Sequence, residues 1–432
     1  MSDALRIAVA GLGTVGAGLL RLIEENGDIL AQRCGRPITV TAISARDRSR
    51  DRGVAVEGYQ WFDDPAEMAR NAEADIVVEL IGGAGGPAKA VCEAAIAAKR
   101  SIVTANKALI AHHGAELAIA AENVGVAIGY EAAVAGGIPI IKALREGLAG
   151  NRITGLYGIL NGTCNFILTT MRQTGREFAD VLAEAQQLGY AEADPSFDVD
   201  GVDAAHKLAI LASVAFGCRV DFENVYTEGI RRITALDIEL AETLGYRIKL
   251  LGIARRQGEM IEQRVHSCMV PLGSPVAHVE DVFNAVVVNG DFVGSTVYEG
   301  RGAGAGPTAS AVMADIVDLA RGATTPVFNI PARNLVDRAT VPMDRHVGAY
   351  YIRLMVVDRP GVFADIAAIL RDEAVSMEQI LQRTRSPNEA VPLVMTTHEV
   401  GEAAMMRALK KFAALETVVE SPYVIRIEQL DD

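Results

Sequence analysis

The first 130 residues alternate between short runs of apolar, mostly β-branched residues and longer alanine-rich stretches with helical periodicity. The short runs predict strands and the longer stretches predict helices. Strands alternating with helices form parallel sheets with both faces covered. We therefore predict an α/β fold here, with strands at residues 5–10, 37–44, 74–82, 100–105 and 125–130.

The pattern changes after residue 130. A loop and a departing helix are predicted at 131–150. Residues 151–300 mix long helices with strands, which are predicted at 152–160, 262–270 and 285–300. This mixture favours an α+β domain whose sheet has one helix-covered face. A glycine-rich turn and a helix follow at 300–322.

The last part of the chain predicts a separate small domain. Residues 349–425 predict the ferredoxin-like order βαββαβ, with a polar turn at 386–389. Three prolines and the lack of periodicity predict a linker at 323–348. The predicted domains are thus 1–130, completed by 303–322, then 131–302, and finally 349–425 after the linker.

Composition narrows the possible functions. Half of the 432 residues are hydrophobic, and the formal net charge is −14. Such an acidic chain is not expected to bind nucleic acid or an anionic membrane surface. No apolar run is long enough to span a bilayer. The five scattered cysteines lack metal-ligand spacing and favour reduced thiols, which predicts a cytoplasmic protein.

A glycine motif follows the first predicted strand. In such a motif the first glycine permits a tight turn, the second admits a pyrophosphate, and the third allows close helix packing. The motif alone is a weak signal, but its place between a strand and a helix predicts dinucleotide binding. Its residues are Gly11, Gly13, Thr14, Val15 and Gly16.

The end of the second predicted strand indicates which dinucleotide binds. Sites specific for NAD usually place an acid there, which accepts a hydrogen bond from the ribose 2′-hydroxyl. This chain has Arg46 and Arg48, whose guanidinium groups suit a 2′-phosphate. Asp47 stands between them and leaves NAD open as an alternative, but the arginines favour NADP.

Two further segments carry candidate chemistry. Lys107 follows the strand predicted at 100–105, at the sheet edge where ligands bind; alternatively it is a solvated residue at a helix start. Residues 189–207, GYAEADPSFDVDGVDAAHK, hold five acids and Lys207. Asp203 and Lys207 are four residues apart and share one helix face. This stretch is either an acidic surface loop or a site that binds a cation.

These segments resemble homoserine dehydrogenases. GLGTVG, VTANK, YEAAVAGGIPII, GILNGTCNFIL, the acidic stretch and GRGAGAGPTASAV occur in the order found in that family. The resemblance covers roughly residues 5–322, and its most specific part is the acidic stretch. The tail, with the turn Asp358-Arg359-Pro360-Gly361, resembles an ACT domain.

The resemblance implies a reaction and its residues. The reaction is the reversible, NAD(P)-dependent interconversion of L-homoserine and L-aspartate 4-semialdehyde in threonine, methionine and isoleucine biosynthesis. Lys207 would be the acid/base, helped by Lys107 and oriented by Asp203, and two adjacent lysines would lower each other's pKa. The residues implied in substrate binding are Glu192, Asp198, Tyr190, Gly162 and Thr163. Asp194 and Asp200 are interpreted as solvated or capping acids.

The resemblance also implies further ligands. A sodium site would be formed by Glu131, Val134, Gly136 and Ile138, although the same segment could be a hinge. The turn at Gly304 would contact the cofactor. In the tail, threonine would bind near Asp358, Arg359, Pro360, Gly361 and Val362 and inhibit the enzyme; alternatively the tail only mediates dimerisation. A homodimer or homotetramer is expected.

Two rival functions stay open. A phosphorylating semialdehyde dehydrogenase needs an activated cysteine, for which Cys164 is the only candidate. An NADP-binding sensor would bind the cofactor without turnover, and replacing Lys207 would then affect only stability.

Overall fold

The computed structural model describes residues 4–382 and 389–430 and contains two sheets in that part of the chain. The first sheet is parallel, with strand order β3-β2-β1-β4-β5-β6. Its strands are β1 (Leu5–Ala10), β2 (Ile38–Ser44), β3 (Gln60–Phe62), β4 (Ile76–Glu79), β5 (Ser101–Thr104) and β6 (Ile128–Gly129). The predicted α/β region is therefore a Rossmann-type fold, which gains β3 beyond the predicted strands.

Helices cover both faces of this sheet. They are α1 (Thr14–Cys34), α2 (Pro65–Asn71), α3 (Pro87–Ala97) and α4 (Lys107–Val124). A later helix, α11 (Ala305–Ala320), also belongs to this layer, because Val312 and Ile316 pack in one buried cluster with Leu19 of α1 and Val9 of β1. The sheet is thus completed by a segment that follows the second domain in sequence.

Residues 131–147 lead away from the first sheet. A 3₁₀ turn at Glu131–Ala133 is followed by a short helix, α5 (Ile140–Lys142), which continues as a π-helical turn at Ala143–Gly147. The loop and departing helix predicted for this segment are therefore present, although the helix is short.

The second sheet extends through the middle of the chain into the tail. Its main path is β12-β11-β7-β9-β10-β17-β13-β15-β14. The strands of the middle region are β7 (Ile153–Ile159), β8 (Tyr226–Thr227), β9 (Tyr246–Gln257), β10 (Met260–Pro271), β11 (Phe283–Gly290) and β12 (Gly294–Arg301). Sequence analysis missed β9, and the predicted strand region 285–300 is a hairpin of β11 and β12.

The middle helices pack mainly on one face of this sheet. They are α6 (Gly162–Thr174), α7 (Phe178–Gln187), α8 (Ser196–Val199), α9 (Val202–Phe216) and α10 (Ala235–Thr243). Leu208 of α9 and Leu168 of α6 share a buried cluster with Leu156 of β7, whereas Tyr157 and Ile159 point into a smaller cluster on the other face. The predicted α+β arrangement is present.

The tail has the predicted ferredoxin-like order. It contains β13 (Val347–Val357), α12 (Val362–Asp372), β14 (Met377–Leu381), β15 (Ala390–Thr397), β16 (Val400–Gly401), α13 (Glu402–Ala413) and β17 (Tyr423–Ile427). It has its own buried cluster, which includes Tyr350, Ile366 and Phe412. Of the polar turn predicted at 386–389, residues 386–388 lie outside the described residues.

The tail is joined to the middle region through backbone pairing. β17 pairs in parallel with β10 at Cys268↔Arg426 and Met269↔Ile427. The segment predicted as a linker is also packed, since Phe328 is fully buried and the carbonyl of Val327 accepts a hydrogen bond from the Tyr130 hydroxyl. The tail is therefore part of one continuous sheet rather than a unit on a free tether.

No helix in the described part of the chain combines the length and apolar character that crossing a membrane requires.

Candidate functional site

The glycine motif has the geometry that its sequence predicts. Gly11 has φ +101°, and a Cβ there would lie 2.5 Å from the Leu80 carbonyl oxygen. A Cβ on Gly16 would lie 2.2 Å from the carbonyl oxygen of Gly11, whereas the space around Gly13 is open. α1 begins at Thr14, so its N-terminal N–H groups face the sheet edge. These residues fit a dinucleotide pyrophosphate.

Arginines gather beyond the end of β2. Arg46 and Arg48 are exposed, and the guanidinium carbon of Arg48 lies 5.6 Å from the centre of the Trp61 ring. Arg52, which sequence analysis missed, lies 5.8 Å from the same ring, and its Nε donates to the Leu12 carbonyl at 3.1 Å. Arg52 therefore connects this cationic surface to the glycine motif.

A crevice of 240 Å³ opens where the two sheets meet. One wall comes from the first sheet and its loops, another from the segment after residue 131, and a third from the turn before α11. Gly304, at φ +125°, is the N-terminal cap of α11. The lining includes Val15, Gly82, Ala105, Lys107, Ala133, Lys207, Gly302 and Thr308.

A carboxylate joins two lysines in this crevice. Asp203 Oδ1 lies 2.8 Å from Lys107 Nζ, and Asp203 Oδ2 accepts a hydrogen bond from Lys207 Nζ at 2.8 Å. Lys207 also donates to the Leu160 carbonyl at 2.7 Å. The side chains of Asp203 and Lys207 are only 4% and 10% exposed, whereas that of Lys107 is 32% exposed. Lys107 begins α4, but its ammonium group is paired with Asp203 and does not simply point into solvent.

The two lysines differ in their electrostatic environment. Burial, reinforced by the ammonium group of Lys107, lowers the pKa of Lys207 although Asp203 opposes this shift. The expectation that both lysines have lowered pKa values is wrong for Lys107: burial acts to lower its pKa, but Asp203, with Asp198 and Glu192, outweighs burial and raises it. Lys207 is therefore the better proton acceptor of the pair.

Asp203 is held in its ionised form. Burial acts against ionisation, but Lys207 and Lys107 hold the pKa of this carboxyl well below its usual range. A buried carboxylate between two lysines is thus the fixed negative charge of the crevice.

Asn161 links this triad to a second acid, and sequence analysis did not select it. Its Nδ2 donates to Asp198 Oδ1 and to Asp203 Oδ2, each at 2.8 Å. Its Oδ1 accepts from the backbone N–H of Cys164 and caps α6. An asparagine before a helix predicts only a cap, so its contact with the two acids follows from the tertiary structure.

The other residues predicted to bind substrate lie around this centre. Gly162 and Thr163 open α6, and the Thr163 hydroxyl donates to the Tyr190 carbonyl at 2.7 Å. The Tyr190 ring packs edge-on against Phe166, with 4.9 Å between the ring centres. Glu192 is exposed and is close enough to contribute to the raised pKa of Lys107.

Two acids of the stretch have other partners. Asp194 accepts hydrogen bonds from the backbone and hydroxyl of Ser196, and Asp200 pairs with Arg231. Asp194 thus makes local contacts before α8, whose N-terminal cap is Pro195, while Asp200 forms an ion pair.

The segment predicted to bind sodium lies beside the crevice. The Glu131 carboxylate accepts backbone N–H groups of Ile141 and Lys142, each at 2.8 Å. Burial, with Asp315 nearby, raises the pKa of Glu131 to about 7. Val134 and Ile138 are buried, and Gly136 packs against the Gly302 backbone. Both oxygens of this buried carboxyl are therefore held by backbone N–H donors.

The predicted regulatory turn opens the first helix of the tail. Asp358 donates its N–H to the Glu389 carbonyl at 2.9 Å, and Gly361, at φ +98°, caps α12. Arg359 and Pro360 are exposed, whereas Val362 is buried.

Cys164 is not placed for nucleophilic chemistry. Its side chain is fully buried, and its Sγ donates to the Asp198 carbonyl at 3.3 Å. Burial, together with Asp198 and Asp203, raises the pKa of this thiol well above its usual value. A thiol kept protonated disfavours the semialdehyde dehydrogenase alternative.

Family models match most of the chain. A homoserine dehydrogenase model matches residues 139–317, a model of the NAD-binding domain of homoserine dehydrogenases matches 11–131, and an ACT-domain model matches 350–414.

Individual relatives match the chain over its full length or most of it. A homoserine dehydrogenase of Pseudomonas aeruginosa is 48% identical, with 99% of each chain covered. The crystal structure of a homoserine dehydrogenase from Thiobacillus denitrificans has 46% identity and a TM-score of 0.91, again with 99% of each chain covered. A hyperthermophilic archaeal homoserine dehydrogenase in complex with NADPH has 27% identity and a TM-score of 0.64, with 74% of this chain and 99% of that chain covered.

Proposed function

The chain belongs to the homoserine dehydrogenase family and is an NAD(P)-dependent oxidoreductase, and we propose that Lys207, Asp203 and Lys107 carry out its acid–base chemistry. The reaction is the interconversion of L-homoserine and L-aspartate 4-semialdehyde, placed in threonine, methionine and isoleucine biosynthesis. The observation that carries this proposal is the carboxylate of Asp203, which lies 2.8 Å from both lysine nitrogens.

Substrate orientation follows from the charges of the crevice. Asp198 and Glu192 supply negative charge for the substrate ammonium group. The ammonium group in turn balances these two acids, which the two lysines leave unneutralised. Gly162, Thr163 and Tyr190 form the adjoining wall. The substrate hydroxyl then points towards the lysines rather than towards solvent.

Proton transfer is assigned to Lys207. In the oxidation direction, neutral Lys207 accepts the hydroxyl proton as the carbon–oxygen double bond forms. The bound nicotinamide supplies the acceptor for the hydride that leaves the same carbon. Asp203 stabilises the resulting lysine ammonium and orients it, and Lys107 keeps the Lys207 pKa low enough for the next deprotonation. In the reverse direction protonated Lys207 donates.

Arg46 and Arg48 suggest NADP as the preferred cofactor. Replacing both by alanine is expected to lower kcat/KM with NADP by about 10- to 100-fold, since a hydrogen bond to a charged group contributes about 1.5–3 kcal/mol. The value with NAD should change little, because NAD lacks the 2′-phosphate. Homoserine-dependent reduction of each cofactor, measured side by side, checks this.

Equal losses with NADP and NAD would contradict the assignment of these arginines. Arg33→Ala, at the last turn of α1, is the control for a general loss of surface charge and should leave both kcat/KM values unchanged.

We further propose that Glu131 and the backbone of Val134, Gly136 and Ile138 hold a sodium ion. The buried Glu131 and Asp315 carboxyls support this, because the ion would offset their mutual repulsion. Homoserine-dependent reduction of NADP, measured with tetramethylammonium in place of sodium, tests the sodium site. An unchanged rate would contradict the proposal.

We propose threonine as the effector of the ACT domain, and the structure suggests a route to the substrate site. Arg426 on β17 is buried and pairs with Glu402 of α13 and, at 2.6 Å, with Glu228. Glu228 begins a strap, residues 228–232, between β8 and α10. A shift of β17 would therefore move Arg426 and, through its ion pair with Glu228, displace this strap.

The strap in turn contacts α8, which carries Asp198. The N–H of Ile230 donates to the Val199 carbonyl at 2.9 Å, and Arg231 pairs with Asp200. A Cβ on Gly229 would lie 2.0 Å from the Val199 carbonyl oxygen, so strap and helix are in close contact. Movement of the strap would displace the acid that holds the substrate ammonium group.

Threonine is therefore expected to raise the KM for homoserine in the full chain, and Glu228→Gln should weaken that inhibition without abolishing threonine binding. The reason is that glutamine keeps the size of the side chain but loses the charge paired with Arg426. Steady-state kinetics measure the inhibition, and calorimetry measures the binding of threonine separately.

Asp358→Ala is the variant to compare with Glu228→Gln, because in Asp358→Ala the binding of threonine itself should weaken. Wild-type protein that neither binds threonine nor responds to it would refute the regulatory proposal. Deletion of residues 349–432 is unsuitable here, because β17 is paired with β10.

A further inference from the structure

Asn161 makes more contacts than a helix cap requires. A capping asparagine needs only its oxygen, which here accepts the N–H of Cys164. The amide nitrogen is free for other use, and both of its hydrogens point to carboxylates: Asp198 Oδ1 and Asp203 Oδ2 each lie 2.8 Å away. Asn161 is 4% exposed, so water competes little for these bonds.

The two acids have different tasks and different electrostatic surroundings. Asp203 has two lysines as direct partners, whereas Asp198 has no lysine within ion-pair distance in the described part of the chain. Burial and the neighbouring Asp203 raise the pKa of Asp198, and the hydrogen bond from Asn161 acts in the opposite direction. The other charged groups that face Asp198 are Lys207 on α9 and Lys107 on α4.

We propose that Asn161 is a positioning residue that keeps Asp198 oriented and ionised for the substrate ammonium group while fixing its distance from Asp203. Asn161 acts through Asp198 and does not touch the reacting atoms. This inference rests on the proposed role of Asp198 in substrate binding. It also explains why the cap is an asparagine, since serine and aspartate cap equally well but lack an amide donor.

The variants that test this role keep the cap. Asn161→Ser retains a capping oxygen and removes both amide bonds, and Asn161→Asp retains the size and the cap but replaces the donor with a third carboxylate. We expect both variants to raise the KM for homoserine by about 10- to 100-fold, the range that loss of a hydrogen bond to a charged group gives. The kcat should change less.

The pH profile provides a readout that a purely structural role would not move. Without the amide, the pKa of Asp198 rises, so the acidic limb of kcat/KM for homoserine should shift to higher pH. Asn161→Asp should shift it further than Asn161→Ser, because it adds negative charge. NADP affinity should stay at the wild-type value.

A control separates capping from positioning. Asp64 caps α2 through its side chain, away from the crevice, and Asp64→Ala should lower stability while leaving the KM and the pH profile unchanged. If the Asn161 variants also change only stability, Asn161 is a cap and the proposal is wrong. If instead Asp198→Asn leaves the KM for homoserine unchanged, the substrate role of Asp198 fails, and the inference fails with it.

Discussion

Replacing Lys207 with methionine is expected to lower kcat for homoserine oxidation by about 100- to 10,000-fold, the range that a positioned general base contributes. Methionine fills a similar volume in this buried position and has no basic nitrogen. The affinity for NADP should be retained, because the glycine motif and the arginines after β2 are untouched. Stopped-flow or steady-state rates and fluorescence titration of NADPH measure the two quantities.

Lys207→Arg is the matched control. Arginine keeps the positive charge beside Asp203 but does not deprotonate at working pH, so its rate should be as low as that of the methionine variant. Full activity in either variant would exclude Lys207 as the base. Wild-type protein that binds NADP without any homoserine-dependent turnover would instead favour the sensor alternative.

Replacing Asp203 with asparagine is expected to reduce both stability and activity. The change removes the shared counter-ion of two lysines, and removing one partner of a buried ion pair costs about 3–5 kcal/mol in the free energy of unfolding. Urea unfolding measures the stability. The kcat should also fall, because both ammonium groups lose the charged partner that they share.

The pH dependence of stability has a definite sign in each protein. In the wild type, the folded-state pKa of Asp203 lies below its unfolded value, so its stabilisation is present above the unfolded pKa and is lost as the pH falls towards the folded one. In Asp203→Asn, Lys207 loses the neighbour that raises its pKa, so the unfolded state binds more protons and stability rises with pH.

Activity should shift with pH in a way that distinguishes Asp203 from Lys107. The residual activity of Asp203→Asn should rise at lower pH than that of the wild type, because the Lys207 pKa falls. Lys107→Met should do the opposite, because it removes a charge that lowers this pKa. Shifts in the same direction in both variants would contradict the assigned electrostatic roles.

The fold could be predicted where the signal is local. The strands β1 and β2, the glycine turn and the order of elements in the tail follow from hydrophobic periodicity and glycine spacing. The strands β3 and β9 were missed, and the hairpin of β11 and β12 was taken as one region. Short edge strands and mixed polar patterns are decided by their neighbours in the sheet rather than by local propensity.

The site was predicted only in part for a similar reason. Asp203 and Lys207 share a helix face, so their pairing is visible in the sequence. Asn161 and Arg52 were missed because their partners lie far along the chain, and the raised pKa of Lys107 depends on distances to acids from another domain. Resemblance supplied the roles of Glu192 and Asp198, which their spacing alone leaves open.

The sequence by itself determined the α/β start, the dinucleotide motif, the acidic stretch and the ferredoxin-like tail, because each depends on residues close together in the chain. Only the tertiary structure decided that Lys107 meets Asp203, that Asn161 links two acids, and that the tail continues the central sheet. Electrostatic shifts and strand pairing depend on distances between remote segments, and packing sets those distances.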